Sequence, residues 1–230
     1  GGFNAKYGDK MSSVLDISYR RVKGFEANAT ALLLGASGFL GYGNSKFSMS
    51  HGLRYKTNKY LLGSLETTGE YNPKFIDYQT YINYKPNKRW SIDFIGNITD
   101  NHYNFKPESR ETSFGTMADI KQFKVYFDGE EKDRFTTLFG ALGVTRNIKD
   151  STSIKFITSA FHTKESETYD IASQYWHDDT QTQESLGIGT YMEHARNYLT
   201  ADVVSVKLIG HHQTRRHNIE AGISLKLEKI

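Results

Sequence analysis

The sequence predicts an all-β protein, an antiparallel meander of about nine long strands. Apolar and polar residues alternate with a period of two along most of the chain, whereas the spacing of an amphipathic helix is nearly absent. Only 37% of the 230 residues are hydrophobic, which is low for a chain that buries one large dry core. We therefore expect strands that are apolar on one face and polar on the other.

The alternation is clearest in the segment that begins at Trp90. Phe94 and Ile98 fall on the same face as Trp90, whereas Asp93 and Asn97 fall on the opposite face. The same division recurs near both ends of the chain and defines the other strands. The predicted strands are 13–20, 26–41, 46–60, 75–85, 90–101, 133–146, 152–162, 191–209 and 215–230.

Short and long connections alternate along this meander. The short turns are predicted at 42–45, 86–88, 147–151 and 210–213. The long links are predicted at 61–74, 106–132 and 164–189. Several strands also reach the roughly nine to eleven residues that a tilted strand needs to cross a bilayer. Together these features are typical of a transmembrane outer-membrane β-barrel, with turns on one side and loops on the other. A soluble antiparallel sandwich or barrel that acts as a binding module remains the alternative, because it alternates in the same way.

Composition excludes several other classes of function. The formal net charge is +3 and no run of basic residues occurs, so no nucleic-acid partner is expected. The absence of cysteine excludes disulfides and thiol nucleophiles. Hydrolase and phosphate-loop motifs are missing, and the adjacent His211 and His212 lie in a predicted turn without a carboxylate at metal-ligand spacing. We expect no enzyme activity, no cofactor and no metal.

One glycine-rich motif is typical of a different class of protein, the nucleotide-binding enzymes. The segment 32–41, Leu-Leu-Leu-Gly-Ala-Ser-Gly-Phe-Leu-Gly, is similar to the nucleotide-binding glycine motif of short-chain dehydrogenases, and Tyr-x-x-x-Lys patterns begin at Tyr55 and Tyr84. Such glycines must open a helix whose N-terminus binds a pyrophosphate. An alternating strand follows Gly41 instead, so a nucleotide-dependent oxidoreductase is kept only as a third alternative.

The first seventeen residues carry a family resemblance. Residues 1–8 read Gly-Gly-Phe-Asn-Ala-Lys-Tyr-Gly and residues 12–17 read Ser-Ser-Val-Leu-Asp-Ile. Together they resemble the junction of plug and barrel in TonB-dependent outer-membrane receptors. Further stretches resemble the Bacteroidetes receptors of this type that carry a carboxypeptidase-like regulatory domain. These stretches are 53–58 with 60–62, 111–115, 126–129, 167–170 and 191–198.

The resemblance implies a plugged barrel of about 22 strands in the parent protein. Residues 1–12 would be the end of the plug domain, and 13–230 would be the N-terminal part of the barrel. The parent would lie in the cell outer membrane, in contact with its lipid, and would import a scarce nutrient such as a glycan or a metal chelate. Its energy would come from a TonB complex that contacts a region preceding this chain.

Two sets of residues are candidates for function. Exposed aromatics beside acids can stack on and hydrogen-bond a small-molecule or oligomeric nutrient, which makes Tyr175, Trp176 and Asp178 candidate ligand contacts in a predicted loop. Polar residues on the strand faces opposite the apolar ones would line the lumen and bond to the plug. These are Asp16, Arg20, Arg54, Asp77, Asp93, Glu220 and Lys226.

Overall fold

A computed structural model describes residues 7, 13–59, 69–116, 119–180, 182 and 184–230. Every element that these residues form is a β-strand, which confirms the predicted all-β class. Within the described ranges, no helix has the length and apolar character needed to cross a membrane. The strands are β1 (Gly24–Leu32), β2 (Gly35–Gly43), β3 (Phe47–Thr57), β4 (Gly69–Tyr71), β5 (Lys74–Asn87), β6 (Trp90–Pro107), β7 (Arg110–Thr116), β8 (Asp119–Lys149), β9 (Thr152–Asp179), β10 (Ser185–Gln213) and β11 (Asn218–Lys229).

The strands form one antiparallel sheet in the order β1-β2-β3-β5-β6-β8-β9-β10-β11. The two shortest strands lie off this path, β4 against β6 and β7 against β8. The sheet is a meander because each strand of the main path follows its neighbour in the chain. β1 and β11 are the terminal strands of the path, and among the described residues each is paired on one side only.

Cross-strand register aligns the alternation of separate strands into continuous rows. Directly paired residues of an antiparallel sheet lie on the same face, so the pairings can be followed from β1 to β11. The row through Phe94 is apolar at eight of its nine positions. It consists of Phe25, Tyr42, Met49, Ile82, Phe94, Leu142, Thr158, Val206 and Leu225. We call the side of the sheet that carries this row the apolar face.

The neighbouring row, which passes through Asp93, lies on the opposite side of the sheet. It consists of Gly24, Gly43, Ser48, Asn83, Asp93, Gly143, Ile157, Lys207 and Ser224. We call this side the polar face. The sheet is therefore amphipathic across its whole width.

The sheet encloses almost no core. Among the described residues, the buried apolar side chains are Val22 and Tyr81. Large apolar side chains on the apolar face stay exposed instead, for example Ile98 at 51% and Ile223 at 73%. An exposed apolar surface of this extent is larger than soluble monomers usually carry.

The rows from Trp90 to Ile98 of β6 define the apolar band of this face. The band spans nine residues of β6, which matches the roughly nine to eleven that a tilted membrane-spanning strand needs. The first row beyond it carries Asp100, Thr136 and Lys164. Beyond Ile98 this face therefore becomes polar along β6, β8 and β9.

Two predicted strands near the N-terminus are wrong. Residues 13–23 form no strand, and Val22 instead lies across the polar face, where its amide donates a hydrogen bond to Ser48 Oγ (2.9 Å). The predicted strand 26–41 is two strands, β1 and β2, which turn at Leu33 and Leu34. That turn carries no Gly, Pro, Asn or Asp at its centre, so the usual turn signals were missing.

The predicted long loops are also largely strand. β6 continues to Pro107, β8 begins at Asp119, β9 continues to Asp179 and β10 begins at Ser185. Beyond the apolar band these strands need no apolar face, so their ladders form without the alternation that identifies a strand in sequence. Short turns at one end and long extensions at the other do persist, although β10 runs through the predicted turn 210–213. Most of the predicted link 61–74 lies outside the described residues.

Candidate functional site

The polar face carries a hydrogen-bond network centred on Asp93. Tyr81 and Asn83 both approach Asp93 Oδ1, as the Tyr81 hydroxyl donates at 2.7 Å and Asn83 Nδ2 at 2.7 Å. Asn83 Nδ2 also donates to Ser91 Oγ (3.0 Å). Alternation in β5 and β6 aims these side chains to one side, and the register brings them together. The network fixes the carboxylate of Asp93 in the middle of the sheet.

The segment that precedes β1 covers part of this network. The ring of Tyr19 stacks on Tyr81 with centroids 5.2 Å apart, and Val22 packs over Gly41. A Cβ on Gly41 would lie 2.8 Å from Val22 Cγ2, so only glycine lets the segment approach this closely. The segment is therefore held on the polar face through Tyr19 and Val22 rather than by continuing the sheet.

The seven predicted lumen-facing residues divide into two groups. Register places five of them on the polar face: Arg54, Asp77, Asp93, Glu220 and Lys226. The other two precede β1, where Asp16 accepts a hydrogen bond from Tyr7 and the guanidinium of Arg20 pairs with Glu26 (2.9 and 2.6 Å). That the polar face lines a lumen stays a prediction.

A group of acids and aromatics lies on the polar face beyond the band. Asp133 pairs in register with Glu167 and Tyr103, and Glu131 pairs with Phe105. Burial raises the pKa of Asp133, and the charge of Glu167 raises it further. The pKa of Glu131 is raised by burial and then by the charges of Asp133 and Glu167. These carboxylates repel one another and would gain from a cationic or hydrogen-bond-donating neighbour.

Aromatic rings extend this part of the polar face. Tyr71 lies 4.6 Å from Phe105 and 6.4 Å from Tyr103, measured between ring centroids. Burial raises the pKa of the Tyr103 hydroxyl, and the charge of Glu131 adds to the effect. Rings beside carboxyl groups can stack on a ligand and hydrogen-bond it at the same time.

The three predicted ligand contacts do not form one site. They lie on β9 rather than in a loop, and Tyr175 projects to the polar face whereas Trp176 and Asp178 project to the other. Trp176 makes an edge contact with Tyr126 at 5.1 Å. The ring of Tyr175 covers Gly189, its partner on β10, where a Cβ would overlap the ring. Tyr175 therefore has a packing role.

The contacts of Tyr81, Asn83, Ser48 and Tyr19 were not foreseen from the sequence. Alternation alone places Ser48, Tyr81 and Asn83 on the polar faces of their strands, so the side of the sheet on which they meet could have been predicted from the sequence. Nothing in the sequence indicated that Tyr19 would leave the sheet and stack on it. Among the residues that the structure describes, no three His, Asp or Glu side chains are arranged to hold a metal ion.

The glycine motif at 32–41 is a hairpin turn followed by β2. The helix that a dinucleotide site requires is therefore not formed by these described residues. Comparison with known proteins adds no assignment, because no protein-family model, curated protein or solved structure matches the chain.

Proposed function

We propose that the chain is a segment of a TonB-dependent outer-membrane receptor whose barrel imports a nutrient. The observation that carries the proposal is the apolar row that crosses all nine strands of the main path, with a polar row behind it. Membrane barrels need an apolar band toward lipid and a polar interior, whereas a soluble sheet of this width would have to bury its apolar face.

Two polar pairs on the apolar face support the same proposal. His51 Nδ1 lies 2.8 Å from the Tyr78 hydroxyl, and His162 Nδ1 lies 2.7 Å from Asp202 Oδ1. An unpaired polar group in lipid costs roughly several kcal/mol, so a lipid-facing surface requires its polar groups to be paired. Both pairs join neighbouring strands within the sheet.

Buried polar atoms on the polar face that lack partners in the described part of the chain support the presence of a polar plug inside the barrel. Asn83 Oδ1, Asp133 Oδ1 and His177 Nε2 are buried and have no hydrogen-bond partner among the described residues. A plug packed inside the barrel would supply such partners. Residues 13–23 already lie across this face, which fits a chain that passes from a plug into the barrel wall.

The nutrient would meet the polar face beyond the band. The acids Glu131, Asp133 and Glu167 beside Tyr71 and Tyr103 suit a ligand that offers hydroxyl groups and flat apolar surfaces, such as a glycan. Loop and strand contacts would capture the ligand, and TonB would then pull the plug to open a path through the lumen. The chain contributes binding and wall residues and performs no catalysis.

The orientation of the sheet can be tested with single cysteines, because the chain has none of its own. The complete reading frame is expressed in its outer membrane with a fluorophore on Leu142→Cys or Ile223→Cys, and on the neighbours Ala141→Cys or Ser224→Cys as matched controls. We expect lipid-borne quenchers to quench the first pair and aqueous quenchers the second. A chain that is monomeric in plain buffer, with both pairs shielded from lipid, would support the soluble binding module instead.

Energy coupling is tested separately. Cells that lack the reading frame are grown on a panel of glycans and metal chelates as single nutrient sources. We expect growth to fail on one of them, and loss of TonB to cause the same defect. A defect that persists only in the deletion, with import unaffected by TonB, would identify a passive channel.

A further inference from the structure

A groove of about 860 Å³ lies just beyond the apolar band, on the apolar side of the sheet. It is formed by two successive rows of the apolar side, which pass through His102 and Asn104. Lys74, His102 and Arg134 are paired in register in the first row, and Lys132 belongs to the second. Lys59 also lines the groove, so its wall carries four lysine and arginine side chains in addition to His102.

The groove has a surplus of positive charge, although Asp133, whose side chain the register places on the opposite face, also contributes to its wall. Arg134 donates to both oxygens of Asp100 (3.0 and 3.2 Å), and Lys132 pairs with Glu130. Lys59 and Lys74 have no ion pair with any described residue, so they carry the surplus.

Neutral donors lie in the same wall. The hydroxyl groups of Ser166 and Tyr198 line the groove from β9 and β10, whereas that of Thr168 donates to the Lys132 carbonyl (3.0 Å). Ammonium, guanidinium and hydroxyl groups together are the donors that phosphate oxygens accept from. The lining therefore fits a phosphate group better than a metal ion or a neutral sugar.

The height of the groove selects the source of that phosphate. His102 lies four residues beyond Ile98, which is about 13 Å along a strand and about 9 Å along the membrane normal at a 45° tilt. The headgroup layer of a bilayer begins where the hydrocarbon core ends and is about 5–8 Å thick on each side. Lysine side chains are long enough to reach from the groove into the headgroup layer.

We propose that this groove binds the phosphate group of a phosphorylated lipid whose acyl chains cover the apolar face. The inference rests on the proposed function, because only a membrane places lipid at this surface. It goes beyond that function by assigning the groove a ligand separate from the imported nutrient.

Binding can be measured on the complete reading frame, purified in an uncharged detergent. The probes are fluorescent phosphatidic acid and fluorescent diacylglycerol, which differ by the phosphate alone. The variants are Lys74→Gln and the double variant Lys74→Gln, Lys132→Gln. Lys207→Gln, on the polar face of β10, is the matched control, and Lys74→Arg tests whether charge suffices.

We expect the unmodified protein to prefer phosphatidic acid over diacylglycerol. Each lysine removed should weaken the binding of phosphatidic acid about fivefold, with no change for Lys207→Gln and little change for Lys74→Arg. Equal binding of the two lipids, or equal binding of phosphatidic acid by the double variant, would overturn the proposal. Displacement of the lipid by millimolar inorganic phosphate would show a site for free phosphate and would also overturn it.

The proposed membrane function and the assignment of the groove are contradicted by different results. If the cysteine positions Leu142 and Ile223 are not quenched from lipid, the proposed membrane function fails and this inference fails with it. If they are quenched but the groove variants bind phosphatidic acid normally, the groove assignment alone is wrong.

Discussion

Arg54 and Asp77 face each other directly across β3 and β5, and Arg54 Nε donates a 2.7 Å hydrogen bond to Asp77 Oδ2. The two side chains differ in burial: that of Asp77 is 9% exposed and that of Arg54 is 54% exposed. The guanidinium also lies over the ring of Phe75, 5.0 Å from its centroid. The arginine therefore has water and a ring as alternative partners, whereas the carboxylate depends on the arginine.

This asymmetry predicts unequal effects of removing either partner. Arg54→Ala leaves a buried carboxylate without its donor and should lower the free energy of unfolding by about 2–3 kcal/mol. Asp77→Ala leaves a hydrated guanidinium and should cost less than about 1.5 kcal/mol. Guanidinium titration of the detergent-solubilised chain measures both. The double variant should be more stable than Arg54→Ala alone, and the reverse order of the two single variants would contradict the argument.

The acids beyond the band predict a stability that falls as the pH rises. The pKa values of Glu131 and Asp133 are raised in the folded chain, so the folded state binds more protons than the unfolded state above pH ~4. Below that pH the two acids do not destabilise the folded chain. Their destabilising effect is complete once the pH exceeds the raised pKa values. Glu167→Gln removes one repelling charge, so it should stabilise the protein at pH 7 and make no difference near pH 3.

The measurement is the free energy of unfolding of both proteins from pH 3 to pH 8. Glu165→Gln serves as the matched control, because Glu165 pairs with Phe135 and is not among the charges that perturb Glu131 or Asp133. A parallel pH dependence for the unmodified protein and Glu167→Gln would show that the three carboxyl groups do not interact.

Gly189 and Tyr175 predict a steric effect on β9 and β10. Gly189→Ala places a methyl group where the ring of Tyr175 lies, so the ring must leave its position, at a cost of about 1–3 kcal/mol. Gly187→Ala is the matched control, since a Cβ there meets nothing within 4 Å. Thermal unfolding in detergent compares the two. Tyr175→Ala should remove most of the penalty of Gly189→Ala, and an unchanged penalty in the double variant would exclude the ring as its cause.

Sequence predicted the part of the fold that alternation controls. Within the apolar band a residue such as Phe94 must be apolar and its neighbour Asp93 polar, so the period of two marks the strand and its faces. Beyond the band both faces are polar, and the ladder between β8 and β9 rests on backbone hydrogen bonds that any residue can make. Strands of this kind leave no periodic signal, and they were predicted to be loops.

The candidate site followed the same division. Arg54, Asp77 and Asp93 were assigned to one face because parity alone determines it. Tyr175 and Trp176 were grouped because they are adjacent in sequence, yet adjacency on a strand sends them to opposite faces. The path of residues 13–23 could not be predicted, since it depends on contacts such as Val22 with Gly41 that are distant in the sequence.

Val22 predicts how firmly the segment before β1 is held. The side chain is 2% exposed against β2, so Val22→Ala removes buried methyl groups and should cost about 1–3 kcal/mol. Ile17→Ala is the matched control because Ile17 is 66% exposed in the same segment. Hydrogen exchange at the Val22 amide, which donates to Ser48, reports detachment directly. Equal exchange in both variants would mean that Val22 does not anchor the segment.

Val204 and Ser205 are adjacent on β10 and lie on opposite faces of the sheet, which makes them the sharpest test of the membrane orientation. Val204 is 45% exposed on the apolar face, so Val204→Lys places an ammonium group in the band. This should make the free energy of folding into lipid vesicles less favourable by about 2–4 kcal/mol. Ser205→Lys adds the same charge on the polar face and should cost less than about 1 kcal/mol, because that face offers water and polar partners. Folding into vesicles is followed by protection from protease and by the electrophoretic shift of the folded form. Equal losses for the two lysines would show that the apolar face does not contact lipid, and a larger loss for Ser205→Lys would reverse the assignment of the faces.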